Sequence, residues 1–300
     1  MTTRVAQHEQ DQETRRAALS GDRPKRPNVL QRFATNRFAL VSAIFLIVIL
    51  VAALLAPVIA PYDPNRITIG AELQGPSFRH LLGTDPNGRD VFSRILFGAR
   101  ISLSIGVIAM LISVFVGTTL GAVSGYFSGW VDSLAMRLTD AMLAIPVFFL
   151  LLAVLASLGP TVPTIVVAIG LTSWMTTARV VRSEVLRAVN LDYVLAAELL
   201  GASRSRIIVR HLVPQALPSM LVASTLGVAQ AILIASALSY LGVGVQPPTA
   251  SWGNMLSNAQ SYVFSEPMLA IWPGLMILFT VLAFNFIGDA LRDALSPYQN

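Results

Sequence analysis

The sequence contains no cysteine among its 300 residues, which excludes disulfides, thiolate metal sites and lipid anchors attached to cysteine. Charged residues are also scarce, at 12% of the chain, against roughly 25% in soluble domains. Hydrophobic residues make up 54% of the chain, and its mean hydropathy is +0.66. This balance indicates a protein whose main solvent is lipid.

Lysine and histidine are almost missing as well. The single lysine, Lys25, follows Pro24, so the Gly-Lys-Ser/Thr core of a Walker A loop is absent and this chain does not bind ATP through one. The three histidines form no His-Glu-x-x-His zinc signature, and none lies inside a long apolar run. A membrane enzyme with a Ser-His pair is therefore disfavoured, and we predict no catalytic residue, cofactor-binding residue or metal ligand.

Long charge-free runs instead predict an all-α, polytopic membrane protein with about six transmembrane helices, because about 20 apolar residues cross the hydrocarbon layer as a helix. A break at Gly159 and Pro160 divides one run that is too long for a single crossing. The predicted spans are residues 39–60, Ser102–Gly125, two helices within 141–178, one ending near Leu241, and Met268–Ile287.

The predicted organisation follows from these spans. In chain order, we expect a cytoplasmic tail at 1–38, the first span at 39–60, an external loop at 61–100, a transmembrane domain at 101–295 with a cytoplasmic loop at 179–212, and a tail at 296–300. Of the 21 Lys and Arg residues, 8 lie in 1–38 and 6 in 179–210, whereas 244–267 holds none. Basic residues accumulate on the cytoplasmic side, so both termini are predicted to lie inside. The basic residues behind the net charge of +5 are therefore interpreted as a topology signal, and no nucleic acid is predicted as a partner.

Small and polar residues within the spans carry further expectations. Glycines at 117, 121, 125 and 129 recur every four residues, which favours close helix packing, within one fold rather than between chains. Arg137 and Asp140 are spaced to pair on one helical face, and Trp252 near a span end is expected in the headgroup zone. The polar candidates for a translocation path are Thr225, Gln230, Ser236, Ser239, Asn254 and Asn285, for which helix-to-helix hydrogen bonding is an equal explanation.

The segment between the fourth and fifth spans is too polar to cross a membrane. Tyr193, Ala196, Ala197 and Leu200 share one helical face, and Gly201 can end that helix in a left-handed conformation. A helix, a sharp turn and a second helix are predicted. Such a helix could sit in a groove on a soluble partner, and a plain linker is equally compatible with this pattern.

Residues 193–214 resemble the EAA loop of ABC importer permeases. The spacing of the general consensus is kept, but Leu195, His211 and Val213 replace its Glu, Ile and Leu. The loop of the dipeptide, oligopeptide and nickel branch accounts for these departures. Its pattern is Tyr-Val-x-Ala-Ala-x-x-x-Gly-Ala-Ser followed by Arg-Ile-Ile-x-Arg-His-x-x-Pro, and residues 193–214 match it in order. The resemblance implies an ATPase-coupling loop carried by Asp192, Tyr193, Ala196, Ala197, Gly201, Ala202, Ser203, Arg206, His211 and Pro214.

A second segment, 82–94, resembles the external loop of the C-type permease in the same branch. The residues that carry this likeness are Gly83, Thr84, Asp85, Gly88, Arg89 and Asp90. Packing over the mouth of the pathway is favoured slightly over contact with a binding protein.

The two resemblances together imply a permease subunit that forms half of the pathway of an ATP-driven importer for dipeptides, oligopeptides or a related small solute. They also imply a second permease, ATP-binding subunits that hold ATP and Mg²⁺, an extracytoplasmic solute-binding protein, and a place in the inner membrane in contact with lipid. The alternative is a secondary transporter or channel subunit, which would normally carry ionisable residues deep in its helices.

Overall fold

The structure, a computed structural model, describes residues 35–295, so the predictions for the two tails largely lie outside the described residues. Within this range the chain is α-helical, and its only strand-like pairing is an isolated bridge between Thr84 and Asp90. The helices are α1 (Arg37–Leu54), α2 (Ala56–Ile59), α3 (Val91–Phe127), α4 (Gly129–Ala144), α5 (Val147–Leu158), α6 (Val162–Ala188), α7 (Asp192–Leu199), α8 (Arg204–Ile207), α9 (Val213–Tyr240), α10 (Trp252–Ala259) and α11 (Met268–Leu295).

The membrane-spanning architecture is confirmed. Five helical segments of the described chain are long and apolar enough to cross a bilayer: α1, α3, α6, the continuous stretch Arg204–Tyr240, and α11. A sixth crossing results if α4 and α5 form one broken span, since they are bent by 84° at a short break. Pro146 is the N-cap residue directly before α5, and its missing N–H explains why the helix is interrupted there.

Two helices extend into segments that were predicted as loops. Helix α3 begins at Val91 rather than Ser102, because the Asp90 side chain caps it by accepting the backbone N–H of Ser93 at 2.8 Å. Helix α6 continues through the charged stretch to Ala188. The predicted external loop is therefore shorter than 61–100, and the non-helical part of the predicted loop 179–212 is reduced to short connections around α7.

Glycines of α3 allow it to pack closely against α6. A Cβ at position 117 would lie 2.7 Å from the Trp174 carbonyl oxygen, and one at Gly121 would collide with the Ala178 carbonyl oxygen. The expectation that this stripe packs within one fold is confirmed for these positions. Gly129 lies at the start of α4 with open space around it and takes no part in the contact.

The remaining helices complete a bundle around α3 and α9. Aromatic pairs hold α1 against α11, with ring centroids 5.6 Å apart for Phe38 and Phe286. Trp252 is fully buried and donates its indole N–H to the Ile95 carbonyl at 3.2 Å. The expected headgroup position of Trp252 was wrong, because its indole packs against α3 inside the chain.

Helix α4 is held by ion pairs rather than by a buried face. Among its residues only Thr139 is buried. The Asp140 carboxylate pairs with the Arg179 guanidinium of α6 at 2.6 Å, which replaces the predicted pairing of Asp140 with Arg137. The local spacing pointed only to Arg137, whereas the fold places Arg179, 39 residues further along the chain, against Asp140.

Candidate functional site

The predicted helix–turn–helix between the fourth and fifth spans is present. Helix α7 is followed by Gly201 with φ +80°, the left-handed conformation that glycine adopts without strain. The N–H of Gly201 donates to the Glu198 carbonyl at 2.9 Å, and the N–H of Ala202 donates to the Ala197 carbonyl at 3.0 Å. These bonds satisfy the last carbonyls of α7 and turn the chain sharply through Ser203 into α8.

Helix α7 buries little and exposes apolar side chains. Val194 points into the protein, and Ala197 is half-buried beside it. Leu199 and Leu200 are each 88% exposed. We define the coupling face as the exposed residues Tyr193, Leu195, Ala196, Leu199 and Leu200. Ala197, predicted to share that face, lies partly beneath it.

Two contacts anchor α7 to the spans. Val194 packs in a cluster with Val185 of α6 and Ile207 and Leu212 of the following helix. The Tyr193 ring lies 6.1 Å from the His211 ring, measured between centroids. The structure therefore brings together two residues, Tyr193 and His211, from near the two ends of the predicted coupling motif.

The turn that leads out of the coupling loop is also tied to α3. The Arg204 guanidinium lies 5.8 Å from the centroid of the Phe127 ring, a cation–π geometry. Arg206 and Asp192 are exposed, with Asp192 in the first turn of α7, where a carboxylate favours the helix dipole.

A π-helical turn over Ile208–Leu212 connects α8 to α9 without ending the helix. The N–H of Val213 donates to the Ile208 carbonyl, five residues back. Pro214 has no N–H, so the preceding turn cannot form its usual bond there and a wider turn is accommodated. His211 and Pro214 thus lie where the coupling segment becomes a membrane helix.

Charged residues of the external loop motif and the start of α3, namely Asp85, Arg89 and Arg94, form a buried ionic network. Asp85 accepts the Arg89 Nε at 2.7 Å and the backbone N–H groups of Asn87 and Arg89 at 2.9 and 3.0 Å. The Arg94 Nε lies 3.7 Å from the same carboxylate, and its Nη1 donates to the Pro64 carbonyl at 2.9 Å. Each of these three charged side chains is less than a tenth exposed.

The other residues of the motif contact earlier parts of the same loop. The Asp90 carboxylate caps α3 and also contacts the His80 Nδ1 at 2.8 Å. The Thr84 hydroxyl donates to the Ala71 carbonyl at 2.5 Å. Gly83 and Gly88 have positive φ, and a Cβ on either would collide with the backbone of the preceding loop. The motif residues are thus engaged in contacts within the loop and with the start of α3, and packing of this loop over the mouth of the pathway stays a prediction.

A cavity of about 970 Å³ opens mainly between α6 and α9, and it is also lined by the break between α4 and α5 and by the end of α11. Its wall is mainly apolar, with Met110, Met175 and Val222 among the lining residues, and its polar groups include Thr172, Thr176, Ser183, Glu184, Ser219, Gln230 and Arg292.

Of the polar path candidates, only Gln230 is among the lining residues of this cavity. The Asn254 amide instead donates to the Val245 and Thr249 carbonyls of its own loop. The sequence analysis missed Thr172, Thr176 and Glu184. Their spacing of four and eight residues could have shown them on one face of α6, had the helix been extended beyond Ala178.

Between residues 35 and 295, no group of three or more His, Asp or Glu side chains is arranged to hold a metal ion.

Several transport permeases are similar to this chain in sequence. The chain is 40% identical to the dipeptide transport system permease protein DppC of Alkalihalophilus pseudofirmus, over 87% of this chain and 86% of that protein. It is 40% identical to the glutathione transport system permease protein GsiD of Pectobacterium atrosepticum, over 89% of each. It is 42% identical to the di/tripeptide transport system permease protein DppC of Pseudomonas aeruginosa, over 89% and 90%.

Solved structures share the fold. An amino acid ABC transporter with histidines superposes with a TM-score of 0.52 at 19% identity, over 68% of this chain and 95% of the other. The methionine ABC transporter MetNI gives a TM-score of 0.54 at 15% identity, over 68% and 97%.

Family patterns cover most of the sequence. The pattern of the N-terminal transmembrane domain of oligopeptide transport permease C matches residues 28–76. The pattern of the binding-protein-dependent transport system inner membrane component matches residues 117–299, more than half of the chain. The chain therefore belongs to the family of binding-protein-dependent transport system inner membrane components, the permeases of ABC importers, and not to the secondary transporters or channels.

Proposed function

We propose that this permease imports peptides or peptide-like solutes, and that its coupling face docks on a separate ATPase subunit. The observation that carries the docking is the exposure of Leu199 and Leu200 on a helix that lies outside the candidate spans. Apolar side chains grouped in this way on an otherwise polar connection are typical of a protein–protein contact. A short helix presenting them fits a groove on a partner.

Peptides are proposed as solutes because the relatives named above transport dipeptides, di/tripeptides or glutathione. All three are small molecules with amide bonds. The cavity volume of about 970 Å³ lies within the range that holds small ligands, and a second permease would add its own wall.

The coupling mechanism follows from the anchoring of α7. Closure of two ATPases around ATP and Mg²⁺ would displace the coupling face, and Val194 would carry that displacement into Ile207 and Leu212. The helix that contains them continues into α9, which lines the cavity through Ser219 and Gln230. Nucleotide-driven movement would thereby open the cavity alternately to the two sides of the membrane.

The proposed assembly contains this chain, a second permease, two ATP-binding subunits and an extracytoplasmic solute-binding protein. It lies in the inner membrane with both termini in the cytoplasm, as the distribution of arginine and lysine favours. The external network around Asp85 is proposed to keep the outer end of α3 rigid where the binding protein delivers solute.

The test replaces both exposed leucines, Leu199→Glu with Leu200→Glu, in the complex expressed with its partner subunits. The ATPase subunits should be lost from the purified membrane complex, while the amount of inserted permease stays unchanged. Ile69→Glu is the matched control, because Ile69 is 92% exposed on the external loop. Normal recovery of the ATPases with the double variant would refute docking, and absence of peptide uptake by the wild-type complex would refute the proposed solute.

A further inference from the structure

The wall of the large cavity contains one acidic side chain among the described residues, Glu184, and one basic side chain, Arg292. Glu184 belongs to the last part of α6, and its side chain is 21% exposed. An ionisable group that faces a cavity between membrane helices is costly to keep there unless it has a partner or a function.

Two side chains of the described chain contact the Glu184 carboxylate. The Ser219 hydroxyl of α9 donates to its Oε1 at 2.7 Å. The Arg187 Nη1 lies 3.5 Å from both carboxylate oxygens, but the Arg187 side chain is 74% exposed and reaches the carboxylate from solvent. A carboxylate accepts about four hydrogen bonds, so Glu184 retains capacity for a further donor.

The surroundings of Glu184 define which donor fits. Hydroxyl groups of Ser183 and Thr176 line the same cavity, together with apolar residues such as Val180 and Val222. This combination suits a solute with an apolar body and one cationic end. The α-amino group of a peptide is such an end, because it is largely protonated at pH 7.

We propose that Glu184 is the contact in the cavity for the ammonium group of the transported peptide. The proposal rests on the proposed import of peptides and specifies how the cavity recognises them. Charge-assisted hydrogen bonds are about twice as strong as neutral ones, so the free amino group gives the peptide an advantage that an acylated amine lacks.

The experiment uses the complete complex in lipid nanodiscs, without its solute-binding protein. Binding of L-alanyl-L-alanine and of N-acetyl-L-alanyl-L-alanine is measured by isothermal titration calorimetry. We expect the wild-type complex to bind the free dipeptide about tenfold more tightly, the ratio that corresponds to roughly 1.4 kcal/mol. Glu184→Gln should remove this preference while leaving the affinity for the acetylated dipeptide unchanged.

Glu184→Gln separates recognition from packing, because its amide oxygen can still accept the Ser219 hydroxyl. Glu184→Asp should keep part of the preference, and Glu72→Gln, a change at an exposed residue of the external loop, should keep all of it. An intact preference in Glu184→Gln, an equal loss for both ligands, or no preference in the wild type would overturn the proposal.

A separate measurement distinguishes failure of the proposed ammonium contact from failure of the proposed import of peptides. The same wild-type complex is reconstituted in proteoliposomes with its binding protein and assayed for uptake of labelled dialanine. Uptake without any contribution of Glu184 to ligand preference would reject the ammonium contact alone. Absence of uptake would reject the peptide solute.

Discussion

The Asp132 carboxylate accepts hydrogen bonds from the Nε and the Nη2 of Arg182, each at 2.5 Å, although the two residues are 50 positions apart in the sequence. The pair joins α4 to α6, and the Ser124 hydroxyl of α3 donates to the same carboxylate. Three helices meet at this carboxylate, near the end of α6 that leads into the coupling loop.

We therefore predict that Asp132→Ala and Arg182→Ala each destabilise the permease by about 1–2 kcal/mol, since charged hydrogen bonds of partly buried groups are lost. The thermal midpoint in detergent should fall by a few degrees. The exchanged pair, Asp132→Arg with Arg182→Asp, should recover part of that loss. Additive damage in the exchanged pair would contradict a direct pairing.

The turn after α7 provides a second prediction. Gly201→Val places a β-branched side chain at φ +80°, a conformation in which such residues are strained. The chain should still insert, but co-purification of the ATPase subunits should weaken because α7 is no longer presented correctly. Gly75→Val is the control, since a Cβ there has open space at an ordinary backbone conformation. Equal ATPase recovery with both variants would contradict the prediction.

Within α7 itself, Ala197→Asp should also weaken ATPase binding. Ala197 is half-buried beside Val194, so a carboxylate there would have to be desolvated or would push α7 away from the spans. Ala197→Ser is the conservative comparison, expected to retain most of the ATPase in pull-down experiments. Unchanged uptake and complex yield with Ala197→Asp would show that the position of α7 does not matter.

The external network should behave as a stability element. Asp85→Asn removes the charge that faces Arg89 and Arg94, and leaving a buried charge unpaired costs about 3–5 kcal/mol. A large fall in the thermal midpoint is expected. Asp63→Asn serves as the control, because Asp63 accepts a hydrogen bond from an exposed backbone N–H in the same loop. Matching stability of the two variants would mean that the network is not needed for folding.

The contact between α3 and α6 can be tested with one added methyl group. Gly121→Ala should lower the thermal midpoint, because the Ala178 carbonyl occupies the space of the new Cβ and close packing tolerates such additions poorly. The same addition at Gly75 should be neutral. A stable Gly121→Ala variant would indicate that the two helices can separate without cost.

The sequence predicts the apolar helices well because lipid imposes a simple requirement on them. The start of α11 at Met268 and the end of α9 near Leu241 follow from runs of charge-free residues. The turn at Gly201 was also predictable, since few other residues adopt its backbone conformation.

Helix ends that contain charge were not predictable in the same way. Arg94 and Arg182 looked like loop residues, but their partners lie far away in sequence, at Pro64 and Asp132. The cavity was missed for a related reason. Its lining residues come from helices that are far apart in the sequence, and the sequence does not show which faces of those helices meet. Only the fold shows that Glu184 and Ser219 meet.

The π turn over Ile208–Leu212 keeps Arg204–Tyr240 a single helical body of 37 residues. At 1.5 Å per residue, its length is about 55 Å. A tilt of about 10° around its midpoint would swing each end by roughly 5 Å in opposite directions, by the same geometry. A small rotation at the coupling loop is then sufficient to displace the far end of the helix by more than the width of a methyl group.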